Sequence, residues 1–183
     1  MTMEWYTPEW IFKKLNMEFD IDVCAPKGGI DYIPAKKHFC IEDDGLIQKW
    51  EGKVWMNPPF KEAGKWMTKF HEHANGVALV PVSKTKWFDK LIEDPKVKIE
   101  ILPSTLSFHH DNKMCKVRSP CCLVYIDKYF ELPEEVDLDI PKHLENYLDS
   151  LWEDEFAWCD GAPPAKSETD EYHGIYLYRK TDW

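Results

Sequence analysis

Asn57, Pro58, Pro59 and Phe60 directly follow the short apolar stretch KVWM. Neither proline offers a backbone N–H, so a β-strand cannot continue through them, and the chain is stiff where the strand stops. An amide side chain and an aromatic ring are therefore held in fixed positions at a strand end. Ligands of open α/β sheets bind at the carboxyl ends of the strands, which makes these four residues a candidate site.

This set of groups suits a planar exocyclic amine such as N-6 of adenine. The amine lone pair is delocalised into the ring, and acceptors placed on both amino hydrogens would localise it on the nitrogen. The side-chain oxygen of Asn57 and the carbonyl of Pro58 can supply those acceptors, and Phe60 can stack on the base. The catalytic contribution is positioning and dipole placement, without a strong general base. The electrophile would be the methyl sulfonium of S-adenosylmethionine, and a base inside a duplex would have to flip out to reach it.

The segments around this motif predict an α/β fold. Thr7 and Pro8 predict a helix start, with Thr7 as the N-cap and Pro8 at the first helical position. Two further helices are predicted at GKWMTKFHEHAN and KTKWFDKLIED, and strands at FDIDVCA, KVWM, GVALVPV, VKIEIL and CCLVYI. PKGGIDYIPAKKHF and residues 103–120 are predicted to be loops. This order favours a mostly parallel, doubly wound sheet.

The composition predicts a soluble globular protein of one domain plus a modest appendage. The chain has 183 residues, of which 44% are apolar and 31% charged. We find no apolar run long enough to cross a membrane and no signal peptide, so a cytoplasmic location is expected. The six cysteines form no regular framework and are expected to be reduced thiols.

The net charge of −10 is confined to the C-terminal part of the chain. Residues 131–183 carry 15 acidic and 4 basic residues, whereas residues 1–130 carry 18 acidic and 19 basic residues. The near-neutral part, with its lysine clusters, could meet phosphates. We therefore predict a domain over residues 1–130 and an acidic extension over 131–183. The extension shows helical periodicity through Leu144, Leu148 and Leu151, then a turn-rich linker, and IYLYRKTDW could be a final strand.

The motifs and their order resemble those of a known family. NPPF is a form of the [DNS]-P-P-[YFW] motif of DNA amino-methyltransferases, and WYTPEWIF resembles their N-terminal TP motif. DDGLIQKWEGKVWMNPPF resembles the D-G-L-x-x-x-W…N-P-P-[YF] block of phage-encoded DNA N-6-adenine methyltransferases, the Dam-like family of phages. GVALVPVSKTKWF and LSF…SPCCLVYI are similar to that family's downstream strands. The resemblance covers roughly residues 4–126.

The resemblance implies a Rossmann-like methyltransferase fold that binds S-adenosylmethionine and methylates adenine in DNA. It makes Asn57, Pro58, Pro59 and Phe60 the catalytic block. The cofactor-binding positions that it implies are Tyr6, Thr7 and Pro8, then Asp22, Cys24 and Ala25, and finally Asp43 or Asp44 with Leu46. The sequence departs from most methyltransferases after the first strand, where DVCAPKGG replaces the usual Gly-rich turn and its glycines come late. No target-recognition domain is evident, and the predicted DNA contacts lie in loop 103–120, at Phe108, Lys113, Lys116 and Arg118.

Several alternatives stay open at the level of sequence. The same geometry would serve cytosine N-4, an RNA adenine or a protein glutamine amide, and a scaffold without catalysis could act by binding DNA or a host protein. Asp22, Asp43 and Asp44 could be plain turn residues, and Phe108 could be a core residue. The spacing of the histidines and cysteines between 109 and 122 fits no standard zinc finger, so no metal is expected. Protection from host restriction is the usual expectation for the family, in the host cytoplasm if the chain is phage-encoded.

Overall fold

The computed structural model describes residues 5–103, 106–110, 113–116, 119–127 and 175–177. The helices are α1 (Glu9–Leu15), α2 (Ala63–His73) and α3 (Lys86–Glu93), and a 3-10 turn, Phe60–Glu62, precedes α2. The strands are β1 (Phe19–Asp22), β2 (Ala35–His38), β3 (Val54–Met56), β4 (Asn75–Pro81), β5 (Val97–Ile101), β6 (Ser107–His110), β7 (Lys113–Lys116), β8 (Cys121–Asp127) and β9 (Ile175–Leu177).

Seven of these strands form one sheet in the order β2-β1-β3-β4-β8-β5-β9. Strands β2, β1, β3 and β4 pair in parallel. Strand β8 lies antiparallel between β4 and β5, so β5 runs parallel to β4, and β9 lies antiparallel on the far side of β5. This confirms the predicted mostly parallel, Rossmann-like α/β fold.

The chain changes direction across the sheet at β1. Strand β2 pairs with one side of β1, and the next strand of the main sheet, β3, pairs with its other side. The carboxyl ends of β1 and β3 therefore flank a topological switch point, where open α/β sheets form a crevice. Asp22 ends β1 and Asn57 directly follows β3, so the sheet brings both to this edge.

Both faces of the sheet are buried, as the continuous apolar run of β4 predicts. Ala78 and Val80 face the layer formed by α2 and α3, with Phe70 and Phe88. The alternate residues Val77 and Leu79 face the opposite layer, to which α1 and β6 contribute residues. Helix α1 packs there through Ile11, Phe12 and Leu15, and the ring of Phe12 meets Trp55 edge-on at 4.7 Å between centroids.

A partly buried ion pair ties α1 to the sheet. Lys14 on α1 pairs with Glu100 of β5, whose side chain is fully buried. The hydroxyl of Tyr125 on β8 donates a second hydrogen bond to Glu100, at 2.6 Å. A buried carboxylate needs such partners because it has lost its water. Helix α1, and the segment before it, are thereby fixed against the sheet.

Two predicted loops contain strands. Loop 103–120 holds the hairpin β6–β7, and PKGGIDYIPAKKHF ends in β2. Strand β2 has no buried residue and lies at the edge of the sheet, so it lacks the apolar pattern that identifies a strand. At the other edge, β9 confirms a strand near the C-terminus. The predicted helical stretch at 144–151 lies outside the described residues, and the boundary at residue 130 stays a prediction.

The predicted N-cap of α1 was wrong. Pro8 takes the N-cap position with φ −66° and ψ 145°, Glu9 is the first helical residue, and no side chain caps the helix. Thr7 lies one residue further out, and its hydroxyl accepts a hydrogen bond from Asn57 instead. A long-range polar contact has replaced the local cap.

In the described part of the chain, no helix has the length and apolar character needed to span a membrane.

Candidate active site

The side-chain amide of Asn57 is held by the segment that precedes α1. Its Nδ2 donates to the carbonyl oxygen of Trp5 at 2.9 Å and to Oγ1 of Thr7 at 3.1 Å. A carbonyl oxygen can only accept, so the nitrogen of the amide, and not its oxygen, must face Trp5. Both amide hydrogens are then engaged, and Oδ1 is left as the acceptor on the other side of the group.

The segment that orients Asn57 is itself fixed from two directions. The hydroxyl of Tyr32 donates to the carbonyl of Thr7 at 2.7 Å. Tyr6 pairs with His109 of β6 through both backbone hydrogen bonds, at 2.9 and 3.0 Å. Thr7 is 1% exposed. The predicted cofactor segment Tyr6–Pro8, the motif residue Asn57 and the hairpin thus form one connected unit.

Phe60 is half-buried close to Asn57 in the chain, and its ring packs against a buried aromatic residue. It meets the ring of Phe108 edge-on, with 6.1 Å between centroids, and Phe108 meets Trp5 in the same way at 6.3 Å. Phe108 is 0% exposed and belongs to the core. The structure therefore does not support a contact between Phe108 and DNA. Its position fixes the plane of Phe60, the ring predicted to stack on a base.

The end of β1 places a buried carboxyl at the switch point. Asp22 is 4% exposed, and its Oδ1 accepts a hydrogen bond from the backbone N–H of Cys24 at 3.1 Å. Burial raises the pKa of Asp22 to about 7, although the bond from Cys24 opposes the shift. Burial also raises the pKa of the Cys24 thiol, and the charges of Asp22 and Glu62 add to that rise. Ala25 is buried and donates its N–H to Phe39.

We expect Asp22→Asn to stabilise the protein at alkaline pH. The pKa of Asp22 lies above its ordinary value of 3.8, so folding favours the protonated form. The stability gained from that proton is complete below about pH 4 and is lost as the pH rises through about 7. Asparagine keeps the acceptor for Cys24 and has no charge to bury.

Urea unfolding at about pH 5 and about pH 8 measures this effect. The Asp22→Asn protein should gain up to about 4 kcal/mol over the wild type at the higher pH, and less at the lower pH. A gain that does not depend on pH would show that Asp22 ionises normally in the folded protein.

The D-G-L-x-x-x-W spacing closes a tight loop against the end of β1. The indole N–H of Trp50 donates to the carbonyl of Gly45 at 2.8 Å. A Cβ on Gly45 would overlap the carbonyl oxygen of Val23 and lie 3.0 Å from Cη2 of Trp66. Glycine is therefore required for this close approach.

Asp43 and Asp44 both form turns within this loop. The Oδ2 of Asp43 accepts from the backbone N–H of Cys40 at 2.9 Å and from its thiol at 3.2 Å. The Oδ1 of Asp44 accepts from the backbone N–H of Leu46 at 3.2 Å. Both aspartates are exposed and Leu46 is half-buried. The turn function predicted as an alternative is present, and contact with a cofactor stays a prediction.

Lys69 was missed by the sequence analysis, in which it is one more lysine on the polar side of α2. Its ammonium donates to the carbonyl oxygens of Gly45 at 3.1 Å, Leu46 at 2.7 Å and Gln48. It also lies over the ring of Trp50, 4.8 Å from the centroid. Burial lowers the pKa of Lys69. The lysine thus joins α2 to the loop that follows β2.

We expect Lys69→Met to loosen this loop. The three carbonyls would lose a charged donor, and a hydrogen bond to a charged group contributes about 1.5–3 kcal/mol. Lys65→Met is the matched control, because Lys65 lies one turn earlier on α2 and, among the described residues, pairs with exposed Glu62. Hydrogen exchange of the amides in 45–50 should speed up in the first variant and not in the second. Equal exchange in both would show that Lys69 does not hold the loop.

The remaining predicted DNA contacts are described only in part. Lys113 and Lys116 lie on β7, of which the structure describes the backbone, and Arg118 lies outside the described residues. The pairing of Tyr6 with His109 places the hairpin beside the segment that holds Asn57. Contact of these two lysines with DNA stays a prediction.

The cysteine pair near the hairpin does not form a joint metal site. Cys121 and Cys122 face opposite sides of β8, in different core layers. Burial raises the pKa of Cys121 to about 12 and that of Cys122 well above its ordinary value. The five cysteines of the described ranges are free thiols, and within those ranges no three His, Cys, Asp or Glu residues are grouped as metal ligands.

Comparison with known families identifies the family of the chain. The family model of DNA N-6-adenine-methyltransferase (Dam) matches residues 2–143, which is most of the chain and includes each predicted site residue. No curated protein sequence matched the chain. The chain therefore belongs to the DNA N-6-adenine-methyltransferase (Dam) family.

Proposed function

We propose that this protein transfers a methyl group from S-adenosylmethionine to N-6 of an adenine that has flipped out of DNA. The observation that carries the proposal is the orientation of the Asn57 amide. The carbonyl of Trp5 holds Nδ2, so Oδ1 is the acceptor that the side chain can offer at the carboxyl end of β3. An acceptor is what an adenine amino group needs there, because the amine donates two hydrogens.

Each residue of the motif would then contact a different part of the adenine. Oδ1 of Asn57 accepts one amino hydrogen, and the carbonyl of Pro58 accepts the other. Phe60, supported by Phe108, stacks on the ring and holds it flat. The nitrogen lone pair becomes localised and attacks the methyl carbon. Bound S-adenosylmethionine would supply the methyl group: the N–CH₃ bond would form as the S–CH₃ bond breaks and leaves a neutral thioether, and one amino proton would leave to water.

The neighbouring residues fit S-adenosylmethionine, which would supply the methyl group on a positively charged sulfur. Asp22 is a buried carboxyl at the switch point with capacity for further donors, such as hydroxyls or an ammonium group. The indole Nε1 of Trp66, which packs beside Gly45, is buried and has no hydrogen-bond partner among the described residues. Tyr6–Pro8, Cys24, Ala25, the turn at Asp43 and Asp44, and Leu46 complete the proposed cofactor residues.

Mass spectrometry of nucleosides tests this proposal. DNA from a methylation-free strain that expresses the protein is digested and compared with DNA from the same strain that expresses Asn57→Ala. We expect abundant N-6-methyladenine with the intact protein and far less with Asn57→Ala. N-4-methylcytosine, or a methylated base in RNA alone, would contradict the proposed acceptor. An Asn57→Ala protein that methylates at the wild-type rate would contradict the proposed mechanism. We place the reaction in the cytoplasm, of a host cell if the chain is phage-encoded, because its DNA substrate lies there.

A further inference from the structure

The loops at the carboxyl edge of the sheet differ in charge from one side of the switch point to the other. The segments after β3 and β4, residues 57–65 and 81–88, together carry four lysines and one acidic residue. The loop after β2, residues 39–46, carries three acidic residues and no basic one. Because the sheet order is β2-β1-β3-β4, these two groups lie on opposite sides of the switch point. The β3–β4 side therefore favours an anionic partner.

Lys61 and Lys86 on this side have no ion-pair partner within the described part of the chain. Five other exposed lysines in the described ranges do have one, in the pairs Lys13–Glu9, Lys27–Glu42, Lys36–Asp20, Lys49–Glu51 and Lys65–Glu62. A lysine without a carboxylate partner can bind a phosphate without first breaking an ion pair. When the lysine neutralises a phosphate of a polyanion, a counterion condensed on the polyanion is released, and this release favours binding.

These two lysines flank one patch beside the motif. Lys61 directly follows Phe60 in the 3-10 turn, and Lys86 is the first residue of α3. Strands β3 and β4 are parallel neighbours, with Met56 opposite Ala78, so both connections leave the sheet at the same edge. The starts of α2 and α3 also touch, since a Cβ on Gly64 would lie 3.0 Å from Cδ1 of Trp87.

We propose that Lys61 and Lys86 bind backbone phosphates of the strand that carries the target adenine. This inference rests on the proposed function, because a base held at Asn57 and Phe60 brings its flanking phosphates over this patch. The hairpin β6–β7 lies on the other face of the sheet, beside Tyr6. The bound strand would therefore pass between the hairpin and the lysine patch. Phosphate contacts position the strand and carry no sequence information.

The double variant K61Q/K86Q tests this proposal against K90Q/K96Q. Both remove two positive charges from exposed lysines, but Lys90 lies one turn further along α3 and Lys96 precedes β5 at the opposite edge. Binding of a fluorescent duplex is measured by anisotropy over a range of salt concentrations. We expect the slope of log K against log salt to fall by about 2 in K61Q/K86Q, with affinity at least about 10-fold weaker. The control should keep the wild-type slope.

Two further measurements separate the outcomes. Calorimetry should give the same S-adenosylmethionine affinity for both variants, and the KM for DNA should rise in K61Q/K86Q with little change in kcat. Equal slopes for the two variants would overturn this inference and leave the proposed function standing. Salt-dependent binding by the wild type without methylation would overturn the proposed function, while the comparison of slopes would still decide the role of the lysines. A wild type that does not bind DNA would overturn both.

Discussion

Asn57→Asp is expected to lower kcat by about 10²- to 10³-fold at about pH 8, and to recover part of that loss as the pH falls. The aspartate has the shape of asparagine but no N–H group. A carboxylate oxygen would then face the carbonyl of Trp5, where Nδ2 now donates at 2.9 Å. Two acceptor oxygens repel each other, so the aspartate side chain must rotate. The oxygen that takes the place of Oδ1 then moves away from the proposed position of the adenine amino group. The expected loss in kcat equals the loss that usually follows when one positioned polar group that stabilises a transition state is removed.

Two control variants make this prediction specific. Asn57→Ala should lose a similar factor at every pH, because it has no group that a proton could restore. Thr7→Val removes only the 3.1 Å bond and keeps the bond to Trp5, so about a 10-fold loss is expected. The two Asn57 variants should bind S-adenosylmethionine with wild-type affinity in calorimetry. Full activity of the aspartate variant at about pH 8 would contradict the assigned orientation of the amide.

Gly45→Ala is expected to cost about 2–4 kcal/mol of folding stability and at least about 10-fold in cofactor affinity. The new methyl group would overlap the carbonyl oxygen of Val23, and the ring of Trp66 closes the other side. The backbone at the end of β1 would have to move away. Asp22 directly precedes Val23, so the proposed cofactor residues would move with it. Urea unfolding and calorimetry measure the two effects.

Gly28→Ala is the control for Gly45→Ala. Gly28 has φ +89°, but a Cβ there would have no neighbour within 4 Å. Its substitution introduces backbone strain of about 1 kcal/mol and no collision. If the two alanine variants lost the same stability, the close packing of Gly45 against Val23 would not be what the motif requires.

The elements that bury apolar runs could be predicted from the sequence. Strands β4 and β8 are continuous apolar segments, and Trp66, Met67 and Phe70 mark the buried side of α2. Edge elements could not be predicted in this way. Strand β2 has no buried residue and is held by backbone pairing with β1 and the exposed Lys36–Asp20 ion pair. In β6, buried Ser107 and Phe108 precede half-exposed His109 in a polar context, so no regular apolar pattern marks the strand. The two-residue spacing Asp111–Asn112 between SFHH and KMCK was the available hairpin signal.

The site was predictable where it follows from strand ends. Carboxyl ends of parallel neighbours meet at one edge, so Asp22 and Asn57 had to lie close together. The contacts that orient these groups join distant parts of the chain. Asn57 bonds to residues about 50 positions earlier, and Lys69 reaches carbonyls more than 20 positions earlier. No periodicity encodes such contacts, and Lys69 has the local pattern of an ordinary surface lysine.

The position of β8 has a consequence for how the protein is made. Strand β8 fills the place between β4 and β5, yet the ribosome produces it after both. Until then β4 has one unpaired side through the synthesis of roughly 40 residues, and β5 has no partner on that side. A free apolar strand edge is the kind of surface that drives aggregation of nascent chains. The arrival of Cys121–Asp127 therefore closes the sheet, and a chain that ends before these residues is expected to be insoluble on expression.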